Sequence, residues 1–69
     1  MNVNIIEGKW HQLKGEARTQ WAKLTNDDLE AIGGQTEVLI GKVQERYGYS
    51  RDQAKEEVDD FLKRHTTQP

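Results

Sequence analysis

Six apolar residues near the start of the chain, Ile6, Trp10, Leu13, Ala17, Trp21 and Leu24, follow one another in steps of 4, 3, 4, 4 and 3. An α-helix brings that spacing onto a single stripe; a strand, with its period of two, scatters it over both faces. Trp10 and Trp21 are 11 residues apart, about 1100° of helical rotation and so about 20° from three full turns. Both indoles therefore share the apolar stripe, while Lys9, Gln12, Glu16, Arg18, Thr19 and Lys23 fill the opposite side. The rings are expected in a core rather than on a stacking platform, which would set them among basic residues. Asn4 with Glu7 three positions on can cap this helix, which is predicted over about residues 5–23.

The rest of the chain carries helical punctuation. In "LTNDDL" Thr25 can cap a second helix with Asp28 at its third position, and Leu24 and Leu29 flank the cap as a hydrophobic staple. That helix is short, carries Leu29 and Ile32, and ends by Gly33-Gly34. A third helix is predicted over about 35–47, with Leu39, Ile40, Val43 and Tyr47 on one face and Gly48 closing it. Ser50 and Gln53 then form a second capping box ahead of a fourth helix bearing Ala54, Val58, Phe61 and Leu62. The expected core is Trp10, Leu13, Trp21, Leu24, Leu39, Val43, Tyr47, Val58 and Phe61. A single domain over residues 1–64 is expected, with residues 65–69 as a frayed tail.

A shift of 26 residues lays Gly8 on Gly34, Leu13 on Leu39, Gly15 on Gly41, Ala17 on Val43 and Trp21 on Tyr47. The chain thus reads as all-α, two similar helical hairpins, each too small to cover its own apolar face and so packed on the other. Gly15 and Gly41 fall inside helices, where a glycine costs about 1 kcal/mol relative to alanine. Close approach of one helix backbone to another is the expected reason.

Composition narrows the function. Ten basic and twelve acidic side chains leave a net charge of −2, against the strong positive excess typical of nucleic-acid binders. The absence of cysteine removes thiol nucleophiles, zinc-thiolate sites and disulfides, and fits a reducing compartment. No apolar run approaches membrane-spanning length, so a cytoplasmic monomer without membrane contact is expected. Ser50, the only serine, is committed to a cap, and His11 and His65 have no nucleophile beside them. No catalytic residue, metal ligand or cofactor-binding residue is therefore predicted, and an enzyme is not expected.

Charge is unevenly spread: residues 1–24 come to +2 and residues 25–34 to −3. Candidate contacts to a protein partner or, less favoured, to nucleic acid are Lys9, Lys14, Arg18, Lys23, Lys42 and Arg46. Lys14 and Arg18 are one helical turn apart and could form a small basic strip. The acids Glu56, Glu57, Asp59 and Asp60, like Asp27, Asp28 and Glu30, suit the positive ends of helices and lack the ligand spacing of a calcium loop.

The strings "GKWHQLKGEARTQWAKLTNDDL" and "IGGQTEVLIGKVQERYGYSRDQAKEEVDDF" resemble the CsbD-like family of small bacterial stress-response proteins, from about residue 7 to residue 61. The distinctive pieces are Gly8-Lys9-Trp10, Leu13-Lys14-Gly15, Trp21, Leu24-Thr25, Asp27-Asp28, Gly41-Lys42 and Gln44-Glu45-Arg46-Tyr47-Gly48. The chain departs from the common pattern at Ala22, where glycine is frequent, and at Gln35, where lysine is frequent. The resemblance implies four or five short helices as two hairpins packed roughly crosswise, in the manner of SAM-like domains. It also implies a general stress-response role and no catalytic residues. Three modes of action fit: a small interaction module using apolar surface beside Trp10 or Tyr49, a hydrophilic protectant of other macromolecules during water loss, or a weak nucleic-acid-binding module.

Overall fold

A computed structural model describes residues 7–66, with side chains described over residues 9–65. Four helices make up these residues: α1 (Glu7–Gln20), α2 (Asn26–Ile32), α3 (Thr36–Tyr47) and α4 (Arg51–Thr66). The fold is all-α, and α1–α2 and α3–α4 form two hairpins. Asn4 and Ile6, assigned above to the first cap and stripe, lie outside the described residues.

The predicted punctuation operates as the local chemistry requires. Thr25 holds an extended backbone and accepts the Asp28 N–H, while the Asp28 carboxylate accepts the Thr25 N–H, completing the capping box. Gly33 at φ 55° and Gly34 at φ 90° turn the chain out of α2, in the left-handed region that a side chain would strain. Gly48 at φ 71° ends α3 with its N–H on the Gln44 carbonyl. Ser50 accepts the Gln53 N–H at the head of α4.

Two boundaries differ from expectation. α1 stops at Gln20, three residues early. The Trp21 N–H still reaches the Ala17 carbonyl, but the Leu24 N–H turns back to the Trp21 carbonyl, closing a turn over Ala22 and Lys23. This turn separates the end of α1 from the extended cap residue Thr25. Leu24 therefore enters the core from a turn and not from the helical stripe. At the other end α4 runs on through His65 to Thr66, and the His65 ring lies 4.6 Å from Phe61, so the tail expected from residue 65 begins as helix.

One cluster forms the core: Trp10, Leu13, Ala17, Trp21, Leu24, Leu29, Ile32, Leu39, Ile40, Val43, Ala54, Val58 and Phe61. Tyr47, expected inside it, is only half-buried and packs against its edge. The hairpins meet through α1 on α4 and α2 on α3. Exchanging the hairpins maps one of these contacts onto the other, but within them α3 packs closely on α4 whereas α1 and α2 do not pack so closely. Gln20 and Arg46, equivalent under the 26-residue shift, each reach the second helix of the opposite hairpin: Gln20 accepts from Arg64 on α4, and Arg46 donates to Asp28 on α2.

The helix-packing explanation for Gly15 and Gly41 fails. Both are exposed, and a Cβ built on either would meet nothing within 4 Å. Neither has a positive φ. Gly15→Ala and Gly41→Ala should therefore each stabilise the domain by about 0.5–1 kcal/mol, read as a higher urea midpoint at unchanged slope. A lower midpoint would restore a packing role.

Thr36, in the first turn of α3, is 3% exposed, and its hydroxyl has no hydrogen-bond partner among the described residues. An unpaired buried hydroxyl costs about 1–3 kcal/mol in desolvation. Thr36→Val keeps the shape and removes that cost, so thermal unfolding of the variant is expected at a higher temperature; an unchanged or lower midpoint would mean that the hydroxyl is satisfied in solution.

Candidate functional site

Of the six cations singled out in the sequence, five are tied to different partners. Lys14 pairs with Glu30 at 3.0 Å and Arg18 bonds Asn26, both ties running from α1 to the edge of α2. Lys42 and Arg46 turn instead to Asp28. Lys23 lies over the Tyr47 ring, its Nζ 5.1 Å from the centroid. Lys9 is exposed, with no ion pair among the described residues. Five of the six are thus engaged inside the domain.

Asp28 is the electrostatic centre, whereas the sequence placed it only in the Thr25 capping box and among acids suited to a helix start. Its side chain is 3% exposed. Arg46 Nε donates to Oδ2 at 2.7 Å and Nη2 to Oδ1 at 2.9 Å, a bidentate fork, and Lys42 Nζ stands 3.5 Å from Oδ1. The Thr25 N–H adds a fourth partner at 3.0 Å. The Arg46 hydrogen bonds and the Thr25 N–H outweigh the burial that opposes ionisation, and they hold the carboxyl far below the usual carboxylate range. One buried charge thereby joins the start of α2 to the last turns of α3. The capping box pointed to Asp28, but no local signal marks a partner 18 residues away.

A second cluster sits where the α1–α2 turn meets the α3–α4 loop. The Trp21 indole N–H donates to Glu57 Oε1 at 3.1 Å, and the Glu57 charge also acts on the Tyr49 hydroxyl. Burial, then the Glu57 charge, pushes the Tyr49 hydroxyl up from its ordinary value, so it stays a neutral donor at neutral pH. The Tyr47 and Tyr49 rings stack at 5.3 Å and 18°, and the Lys23 N–H donates to the Tyr47 hydroxyl oxygen at 3.2 Å. Glu57, grouped by sequence with acids suited to a helix start, is half-buried beside this aromatic ledge. Trp10 offers little comparable surface: it is 7% exposed, and its indole N–H is bonded to the Leu29 carbonyl at 3.1 Å.

Ser50, Asp52, Gln53, Lys55, Glu56 and Asp59 line an open depression on α4, with Ser50 already occupied by its cap and Lys55 by Asp59. Among the described residues no three His, Cys, Asp or Glu side chains are placed to hold a metal ion. No described helix is long and apolar enough to cross a membrane.

The model of the family described as CsbD-like matches residues 4–56. The UPF0337 protein YjbJ of Escherichia coli O6:H1 is 52% identical over 65 residues, 94% of each chain. A UPF0337 protein of Pseudomonas aeruginosa is 52% identical over 64 residues, 93% of this chain and 98% of its own. Another from Xanthomonas axonopodis pv. citri is 54% identical over 63 residues, 91% of each. The family match takes in both Trp10 and Trp21, the capping box, the Asp28–Arg46 fork and the tyrosine ledge, and on these grounds the chain belongs to the CsbD-like family.

Proposed function

We propose that this protein is a non-enzymatic stress-response factor that works as a small interaction module, meeting a protein partner at the Tyr47–Tyr49 ledge. The observation that carries this reading is the ledge itself: two stacked, half-buried tyrosines beside Lys23, at the one place where the loops of both hairpins converge. Tyrosines whose bodies are packed and whose edges remain wet give contact area at small cost in side-chain entropy. The internal pairing of Lys14, Arg18, Lys42 and Arg46 favours a protein partner over nucleic acid, since phosphate contacts would first have to break these ties. The single large apolar cluster favours a folded module over a mainly disordered protectant.

The test is heteronuclear NMR of the labelled protein mixed with fractions of a stressed bacterial lysate. Shifts or broadening centred on Lys23, Tyr47 and Tyr49, and lost in Tyr49→Ala, are expected. Spectra unchanged in every fraction would remove the proposal, and changes confined to Lys9, Lys14 and Arg18 that vanish with added salt would favour nucleic acid instead.

A further inference from the structure

We propose that the half of α1 before Gly15 is a flap, hinged at that glycine, which opens from α2 while the half after it stays clamped to α4. Both halves are buried in the core but are held to different helices, the front to α2 and the back to α4. After Gly15, Ala17 is 0% and Trp21 1% exposed. The Trp21 ring lies 5.0 Å from Phe61, its indole N–H is bonded to Glu57, and Gln20 accepts from Arg64. Before Gly15, Trp10 at 7% and Leu13 at 5% are the two most exposed members of the core.

Beyond the burial of Trp10 and Leu13 in the core, the front half is tied down, among the described residues, by the Trp10 indole N–H on the Leu29 carbonyl and by the Lys14–Glu30 pair. The second is a surface ion pair, whose members are 34% and 73% exposed, and such pairs contribute little. The indole hydrogen bond is therefore the latch.

Gly15 lies between the halves with no packing reason to be glycine. A mid-helix glycine restores backbone freedom to the open state and weakens the helix where it stands. The Thr19 hydroxyl adds to this by bonding the Gly15 carbonyl at 3.1 Å; such back-bonding slightly destabilises and often bends a helix. Opening frees Trp10, Leu13 and the Leu29 carbonyl together, an apolar edge with one unmet acceptor. The inference is independent of the tyrosine ledge and survives its failure.

Native-state hydrogen exchange in the full chain tests it. The amides of His11 to Lys14 are expected to exchange through a local opening insensitive to low denaturant, at least about ten-fold faster than those of Ala17 to Trp21 and of α3. Gly15→Ala should slow exchange at His11 to Lys14 about five-fold, the equivalent of about 1 kcal/mol, and leave α4 unchanged. Trp10→Phe keeps a ring but removes the latch N–H, and should speed exchange at the same four amides only. If all of α1 exchanges with α3 and α4 in one global event, in wild type and Gly15→Ala alike, the flap does not exist. Slower closing or faster exchange in Gly15→Ala would equally overturn the hinge.

Discussion

Trp21→Ala is expected to abolish cooperative folding. A 69-residue chain has about 3–10 kcal/mol of stability to lose, and truncating a buried aromatic costs about 3–5 kcal/mol. The ring is 1% exposed, packs on Phe61 at 5.0 Å and donates to Glu57, so its removal opens the junction of α1 with α4 and leaves a half-buried carboxylate with one partner fewer. Trp21→Phe separates the two contributions: it retains most of the packing and forfeits the hydrogen bond, and should fold with a stability lower by about 1–3 kcal/mol. Circular dichroism melts of both variants decide the point. A cooperative Trp21→Ala melt near the wild-type temperature would mean that the indole is not a strut between the hairpins.

Asp28→Ala carries the second large effect, about 2–4 kcal/mol, from a lost capping box together with lost charge-assisted hydrogen bonds. The loss should appear chiefly as separation of α2 from α3, since Asp28 is where Arg46, Lys42 and the Thr25 N–H converge. The same geometry dictates the acid response. The folded-state pKa of Asp28 is depressed, so its contribution is complete above the unfolded value of about 3.9 and is lost as pH falls below it, toward the folded-state value. Wild-type stability should therefore fall steeply below about pH 4. Asp28→Asn, with no carboxylate to protonate there, should show a lower plateau at neutral pH and a shallower acid limb. Parallel acid limbs in the two proteins would assign acid sensitivity to other carboxylates.

Much of the fold was legible because its determinants are local. The Thr25–Asp28 box, the Gly33-Gly34 and Gly48 terminations and the Ser50 cap depend on residues within one turn of each other, so their chemistry can be read in order along the chain. The apolar faces of α1, α3 and α4 follow from helical periodicity in the same way. The candidate contact residues were less legible. Lys42 and Arg46 look like free cations until α2 is docked beside α3, and Glu57 looks like one more helix-start acid until the Trp21 indole reaches it from 36 residues away. Gly15 and Gly41 failed for the opposite reason: a helical glycine suggests a close neighbour, and only coordinates reveal that none is there.

By itself, then, the sequence determined where the chain turns helical, where it stops and which stripe of each helix seeks cover, since these depend on backbone sterics and on neighbours three or four residues away. Tertiary structure alone decided which charges face each other, that Asp28 is interior and that the two tyrosines share a ledge. Those outcomes depend on how one hairpin seats on the other, and a pairing across that seam is set by the docking of whole surfaces, which no spacing along the chain encodes.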